Sequence, residues 1–266
     1  MPSLAPAFSL AGRSALVCGA SAGIGRATAL ACAGLGAGIT VLARDGAKLE
    51  ALLPELRAAG AASATSLVAD LENIEGFERV VGDWLQQAAP VHILVHNTGG
   101  PPAGKLVEAD TAALLAAFRR HVLSAHRLVQ LLLPGMREAG YGRIVNVLST
   151  SVREPIDLLG VSNTIRAAMA SWAKSLSREL PPGVTINNVL PGYTATERLA
   201  ELARSTAART GRSIEAIEAE WREMAPEKRL GRPEEIAAAI AFLVSPAASF
   251  VRGTSLPVDG GRLRSI

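Results

Sequence analysis

Cys18-Gly19-Ala20-Ser21-Ala22-Gly23-Ile24-Gly25 follows directly on a short apolar run, residues 14–18, and opens a stretch with helical spacing, residues 23–35. A strand that turns sharply into a helix needs glycine where the backbone bends and where a ligand approaches the main chain closely. Beyond the turn, the helix N-terminus offers unpaired N–H groups and the positive end of its dipole, which together suit a pyrophosphate. Gly19, Gly23 and Gly25 in the spacing G-x-x-x-G-x-G, with Ser21 and Ile24 between them, therefore form a candidate nucleotide-phosphate loop.

Working outward from this turn, apolar runs rich in β-branched residues recur at 38–43, 64–69, 91–95, 143–148, 184–189 and 254–258. Runs of this kind are expected to be buried parallel strands. Between them lie stretches with helical spacing at 46–59, 74–87, 111–138, 161–180 and 233–244. The last of these starts with Pro233, suited to the first helical position, and with Glu234 and Glu235 to complement the dipole. Alternating strand and helix predicts the α/β class: a doubly wound parallel sheet of about seven strands, a Rossmann fold, in one domain over residues 1–266. Residues 196–228 break the rhythm, being charged, Ala-rich and without a strand candidate. An insertion after the sixth strand falls beyond the carboxyl ends of the sheet, where ligands bind, so a substrate lid is expected there.

The 27 Lys and Arg residues are scattered among 24 Asp and Glu, for a net charge of +3, and form no basic face that would favour nucleic acid. Cys18 and Cys32 both lie in apolar surroundings and read as reduced core thiols. No run approaches the roughly 18 apolar residues of a membrane span, so a cytoplasmic location is expected. His92, His96 and His126 have no acidic or cysteine partners at ligand spacing, and no metal site is predicted.

The glycine loop and the landmarks after it resemble those of the short-chain dehydrogenase/reductase family, from about Arg13 to Gly261. Asp70-Leu71 is similar to the family's adenine-contacting pair. In His96-Asn97-Thr98-Gly99, where the family usually reads N-N-A-G, Asn97 and Gly99 match. Pro191-Gly192-Tyr193-Thr194-Ala195-Thr196 resembles the P-G-x-x-x-T turn that holds a nicotinamide carboxamide, and Val258-Asp259-Gly260-Gly261 resembles the V-D-G-G ending. For the cofactor, the end of the second strand discriminates: a carboxylate there accepts from the ribose 2′-OH, whereas an Arg pairs with a 2′-phosphate. The chain reads Ala43-Arg44-Asp45, so NADP is expected over NAD, with Asp45 a nearby acid.

The resemblance also exposes departures. In the family a serine ends the fifth strand, a tyrosine follows thirteen residues later and a lysine four beyond that; here those positions are Ser149, Ser162 and Arg166. The helix asparagine of the tetrad corresponds to His121. The family's tyrosine donates a proton as hydride arrives, and a serine hydroxyl is a weaker and shorter acid. Arg166 would hold the ribose hydroxyls as a fixed cation, without relaying protons. Ser149 is then expected to bind the substrate oxygen, with His121 or water as proton source; an unperturbed histidine titrates at about 6.5. The run Leu159-x-x-Ser162-Asn163-x-x-Arg166, with the later P-G-Y-T-x-T-x-R ending at Arg198, resembles a divergent subgroup related to 3-oxoacyl-carrier-protein reductases that lacks the standard tetrad. An NADP(H)-dependent oxidoreductase for a small carbonyl or alcohol is one expectation; a nucleotide-binding sensor or inactive partner subunit is the other. A homo-oligomer, tetramer over dimer, is expected from the apolar-faced helices 111–138 and 161–180.

Overall fold

Every strand of the sheet runs in the same direction. The strands are β1 (Ser14–Cys18), β2 (Gly38–Ala43), β3 (Ala64–Val68), β4 (Ile93–His96), β5 (Gly142–Val147), β6 (Val184–Pro191) and β7 (Ser255–Val258). They pair in the order β3-β2-β1-β4-β5-β6-β7, each neighbour parallel. The computed structural model describes residues 5–265. Strands β2, β5 and β6 are buried along their whole length, which suits strands without a solvent face to alternate with, although β5 and β6 also bury the polar residues Arg143, Asn146, Thr185, Asn187 and Asn188. The edge strands β3 and β7 stay partly open to solvent.

The helices are α1 (Ala5–Phe8), α2 (Gly23–Gly34), α3 (Gly46–Ala59), α4 (Ile74–Leu85), α5 (Thr111–Phe118), α6 (Ser124–Glu138), α7 (Gly160–Glu179), α8 (Glu197–Thr210), α9 (Ile214–Glu223) and α10 (Pro233–Val244). Alternate residues of each strand serve opposite layers. Ala15 and Val17 of β1 and Ile39 and Val41 of β2 pack with α2, α3 and α10, while Leu16 and Cys18 pack with α4, α6 and α7. Both predicted core thiols are buried and free, and burial pushes each up to about 12. Local signals set the helix starts. Asp45, Asn73, Thr196 and Ser213 each accept a backbone N–H from the first turn of the helix that follows, and Glu235 reaches back to the Arg232 N–H.

One feature departs from the expected pattern. The single helix predicted over 111–138 is interrupted: α5 and α6 are joined by a π-helical turn, Arg119–Leu123, which places one extra residue in the helical ladder. The insertion 196–228 folds as α8 and α9, separated at Gly211, whose φ of +70° ends α8 in the left-handed region. These helices carry a small core of their own, Ala203, Ile217 and Trp221. Strand order reverses between β1 and β4, and at that switch point the carboxyl ends of the strands open a crevice. Among the described residues, no helix is long and apolar enough to cross a membrane.

Candidate active site

One cavity of about 880 Å³ occupies the crevice, running from the glycine loop across the ends of the strands to α7 and α8. The loop is shaped by glycine at positions where nothing larger fits. Gly19 and Gly23 have φ of +60° and +54°, and a Cβ on Gly25 would lie 2.2 Å from the Gly19 carbonyl oxygen. Ala22, at the N-cap of α2, offers no side-chain cap, so the first N–H groups of the helix face the cavity without a protein acceptor of that kind. Asn97 ties the end of β4 to the loop by donating from Nδ2 to the Gly19 oxygen at 3.2 Å. A main-chain cradle without a carboxylate, at an uncapped helix N-terminus, fits a diphosphate.

Ser21, Ile24, Arg44, Asp70, Leu71, Gly99, Pro191, Gly192 and Thr194 all line the same cavity. Arg44, at the end of β2, is largely exposed, with Nη1 3.9 Å from a carboxylate oxygen of Asp70. Lys48, one turn into α3, also reaches the wall and lies 3.9 Å from Glu197. Gly192 has no room for a side chain, because a Cβ there would meet the Asp259 backbone at 2.8 Å. The C-terminal V-D-G-G run thus buttresses the turn after β6.

At the far wall, Ser149 caps the short 3-10 turn Thr150–Val152, its Oγ accepting from the Ser151 N–H at 3.0 Å. Ser162 and Arg166 project from the first turns of α7, four residues apart and hence on one face. The Arg166 guanidinium is 8% exposed and donates to the carbonyls of Val147 at 2.5 Å and Thr98 at 3.4 Å, stitching α7 to the ends of β5 and β4. Burial, and then the charge of Arg198, lower it to about 10, so it remains a cation at neutral pH.

His121 is the clearest correction to the sequence reading. It sits in the π-helical turn, 1% exposed and behind the cavity wall instead of on it. Its Nδ1 shares a hydrogen bond with Thr98 Oγ1 at 2.6 Å, and Nε2 has no partner among the described residues. Burial, followed by the Arg166 charge, drives its proton affinity far below the ordinary histidine range. A group this reluctant to charge is not a near-neutral proton donor. His96 is similar: buried, 3.0 Å from Ser124 Oγ, and lowered to about 3, chiefly by desolvation.

Three further residues complete the wall. Tyr193 stacks on Trp221 of α9, ring centroids 5.0 Å apart and planes 11° off parallel. Arg198, at the start of α8, donates to the carbonyls of Gly100 and Pro101, fastening the insertion to the loop after β4. Arg262 arrives from the C-terminal segment, 5.3 Å above the Tyr193 ring, and donates to Thr150 Oγ1 at 2.9 Å. Its partner is 112 residues away in sequence, a contact no local pattern announces. Among the described residues no three His, Cys, Asp or Glu gather as a metal site would need.

The family model described as enoyl-(acyl carrier protein) reductase matches residues 19–262. An uncharacterised oxidoreductase of Mycobacterium tuberculosis is 33% identical over 96% of this chain and 93% of its own length. Galactitol 2-dehydrogenase (L-tagatose-forming) of Cereibacter sphaeroides is 34% identical over 96% of each chain. Among solved structures, L-sorbose reductase of Gluconobacter frateurii, complexed with NADPH and L-sorbose, superposes with a TM-score of 0.91 at 28% identity, covering 98% of this chain and 100% of that one. A 3-oxoacyl-(acyl-carrier-protein) reductase of Agrobacterium tumefaciens with NADP bound gives 0.87 at 29% identity, covering 98% of each. The chain belongs to the short-chain dehydrogenase/reductase superfamily.

Proposed function

We propose that this protein is an NADP(H)-dependent oxidoreductase that interconverts a small carbonyl compound and its alcohol at a centre without the usual tyrosine and lysine. The observation that carries this reading is continuity: the glycine loop, the Arg44 end of β2 and the Ser149, Ser162 and Arg166 wall belong to one cavity. A dinucleotide on the loop and a substrate at Ser149 therefore share one space. The similar structures that hold NADPH or NADP support the choice of cofactor.

In this reading the main chain of Gly19, Ser21, Gly23, Ile24 and Gly25 receives the diphosphate, Asp70 and Leu71 border the adenine, and Arg44 pairs with the 2′-phosphate. Asn97 and Gly99 line the ribose side, and Pro191, Gly192 and Thr194 hold the carboxamide. Arg166 anchors the nicotinamide ribose. When bound, the cofactor supplies a hydride to the carbonyl carbon. Ser149 donates a hydrogen bond to the substrate oxygen, and the fixed charges of Arg166 and Arg198 stabilise the negative charge that develops there. The proton comes from water, because neither a serine hydroxyl nor the buried His121 is a competent acid near neutrality. Helices α8 and α9 act as the lid, held by the Arg198 contacts to Gly100 and Pro101. A homotetramer would cover Leu115, Phe118 and Leu123, which lie exposed along α5 and the π-helical turn.

The test is a fluorescence titration with NADPH and NADH, followed by a panel of aldehydes, ketones and oxo acids assayed for NADPH consumption at several pH values. Saturable NADPH binding with turnover of at least one class is the expected result. NADPH binding without consumption of any compound assigns the chain instead to nucleotide sensing or to service as an inactive partner subunit.

A further inference from the structure

The substrate end of the cavity carries more positive charge than its neighbours neutralise. Arg166 and Arg262 have no carboxylate within ion-pair distance among the described residues, and Arg198 has only the exposed Glu201, at 3.5 Å. Cations gathered in a partly desolvated pocket repel one another, a cost that persists unless an anion is expected there. Arg166, held below the ordinary arginine range chiefly by burial, is lowered further by the Arg198 charge, which reports the same repulsion.

Arg262 is the most pointed of the three. Its Nη1 is used by Thr150, the residue next to Ser149, so the guanidinium sits beside the position assigned to the substrate oxygen. Its Nε is buried and has no acceptor among the described residues. An unmade hydrogen bond from a buried charged donor is costly, and although Nε itself is closed off, the part-exposed guanidinium lines the cavity, where a carboxylate can meet its outer nitrogens. The segment carrying it is pinned on either side by backbone N–H groups, Gly261 and Leu263 to the Asp259 carboxylate and both Arg264 and Ser265 to Glu154. The arginine is thus a positioned feature of the pocket and not a loose end.

Resting on the oxidoreductase reading, we propose that the substrate is an oxo acid or hydroxy acid whose carboxylate is held by Arg262 in the field of Arg198 and Arg166. Hydride passes from NADPH to the carbonyl carbon, the C=O π pair moves to oxygen and is protonated by water, and NADPH leaves as NADP⁺. The carboxylate takes no part in the chemistry and serves to orient the carbonyl toward Ser149.

Binding and turnover separate the two claims. Calorimetry on NADP⁺-saturated protein, where an oxo compound cannot react, compares straight-chain 2-oxo, 4-oxo and 5-oxo acids with their methyl esters. At least one acid is expected to bind tenfold or more tighter than its ester, and Arg262→Met to collapse that ratio toward one while Arg262→Lys restores part of it. Circular dichroism and NADP⁺ affinity check that the Met variant is folded; should it not be, Arg198→Met is expected to reduce the same ratio severalfold. Equal binding of acids and esters, a ratio that survives Arg262→Met, or stronger binding of a keto phosphate than of any acid overturns the inference. Acid-selective binding without NADPH oxidation leaves the carboxylate site standing and removes the oxidoreductase reading; turnover of esters and acids alike does the reverse.

Discussion

Arg44→Ala is a perturbation whose size can be worked from its surroundings. The Arg44 side chain is 73% exposed, and its Nη1 lies 3.9 Å from an Asp70 carboxylate oxygen. A 2′-phosphate there gains a charge-assisted hydrogen bond worth about 1.5–3 kcal/mol when well formed. Two effects pull the figure to the low end. Solvent screens so exposed a guanidinium, and Asp70 repels the phosphate that Arg44 attracts. About 1.5 kcal/mol remains, or roughly a tenfold loss of NADPH affinity. NADH has no 2′-phosphate, and its dissociation constant should hardly move. Asp70→Asn should strengthen NADPH binding in the presence of Arg44 and do less in its absence, since residues in contact give non-additive cycles. Fluorescence titration of the four proteins with both cofactors measures every corner. An equal loss for NADH and NADPH on removing Arg44, or equal affinity for both in the unmutated protein, refutes the reasoning.

Gly25→Ala should abolish measurable NADPH binding in the same titration, since its Cβ would sit 2.2 Å from the Gly19 oxygen. His121→Asn should leave the pH dependence of kcat/KM without the loss of a limb near neutrality, because the buried ring is already uncharged there; a limb that disappears with this substitution would restore His121 as the acid. His96 is lowered to about 3 and His121 is lowered as well, so the unfolded chain binds protons that the fold does not once the pH drops below the unfolded value of about 6.5. Stability should therefore be fully present above that pH and fall toward pH 3 by about 1.4 kcal/mol per pH unit per group, as urea unfolding at pH 7 and pH 5.5 would record. Trp221→Ala removes the stacking partner of Tyr193 and should raise KM for substrate while leaving NADPH affinity unchanged, a split visible in steady-state kinetics.

The fold was legible because its strands are buried on both faces and its glycines sit where no other residue fits. Runs such as 38–43 and the turn at Gly19, Gly23 and Gly25 leave few alternatives. The glycine-loop half of the cavity could be located for the same reason, since its groups are mostly main chain at strand ends whose order is dictated by topology. The half beside Ser149 could not. Arg262 meets Thr150 across 112 residues, Tyr193 meets Trp221 through the insertion, and the Arg198 latch needs the loop at Gly100. His121 was misread because register gives a position along a helix but not its depth. The π-helical turn and the Thr98 contact place the imidazole behind the wall, where burial outweighs its ordinary affinity for a proton.

The central claim is that a cavity walled by Ser149, Ser162 and Arg166 still moves a hydride. Incubating the protein with NADPH deuterated at both C4 positions and with a mixed panel of oxo acids and neutral carbonyls tests this directly, with mass spectrometry reading the products. The account predicts an alcohol bearing one deuterium on the former carbonyl carbon, formed by Ser162→Ala at a rate close to that of the unmutated protein. Saturable NADPH binding with no deuterium in any compound of the panel would contradict it.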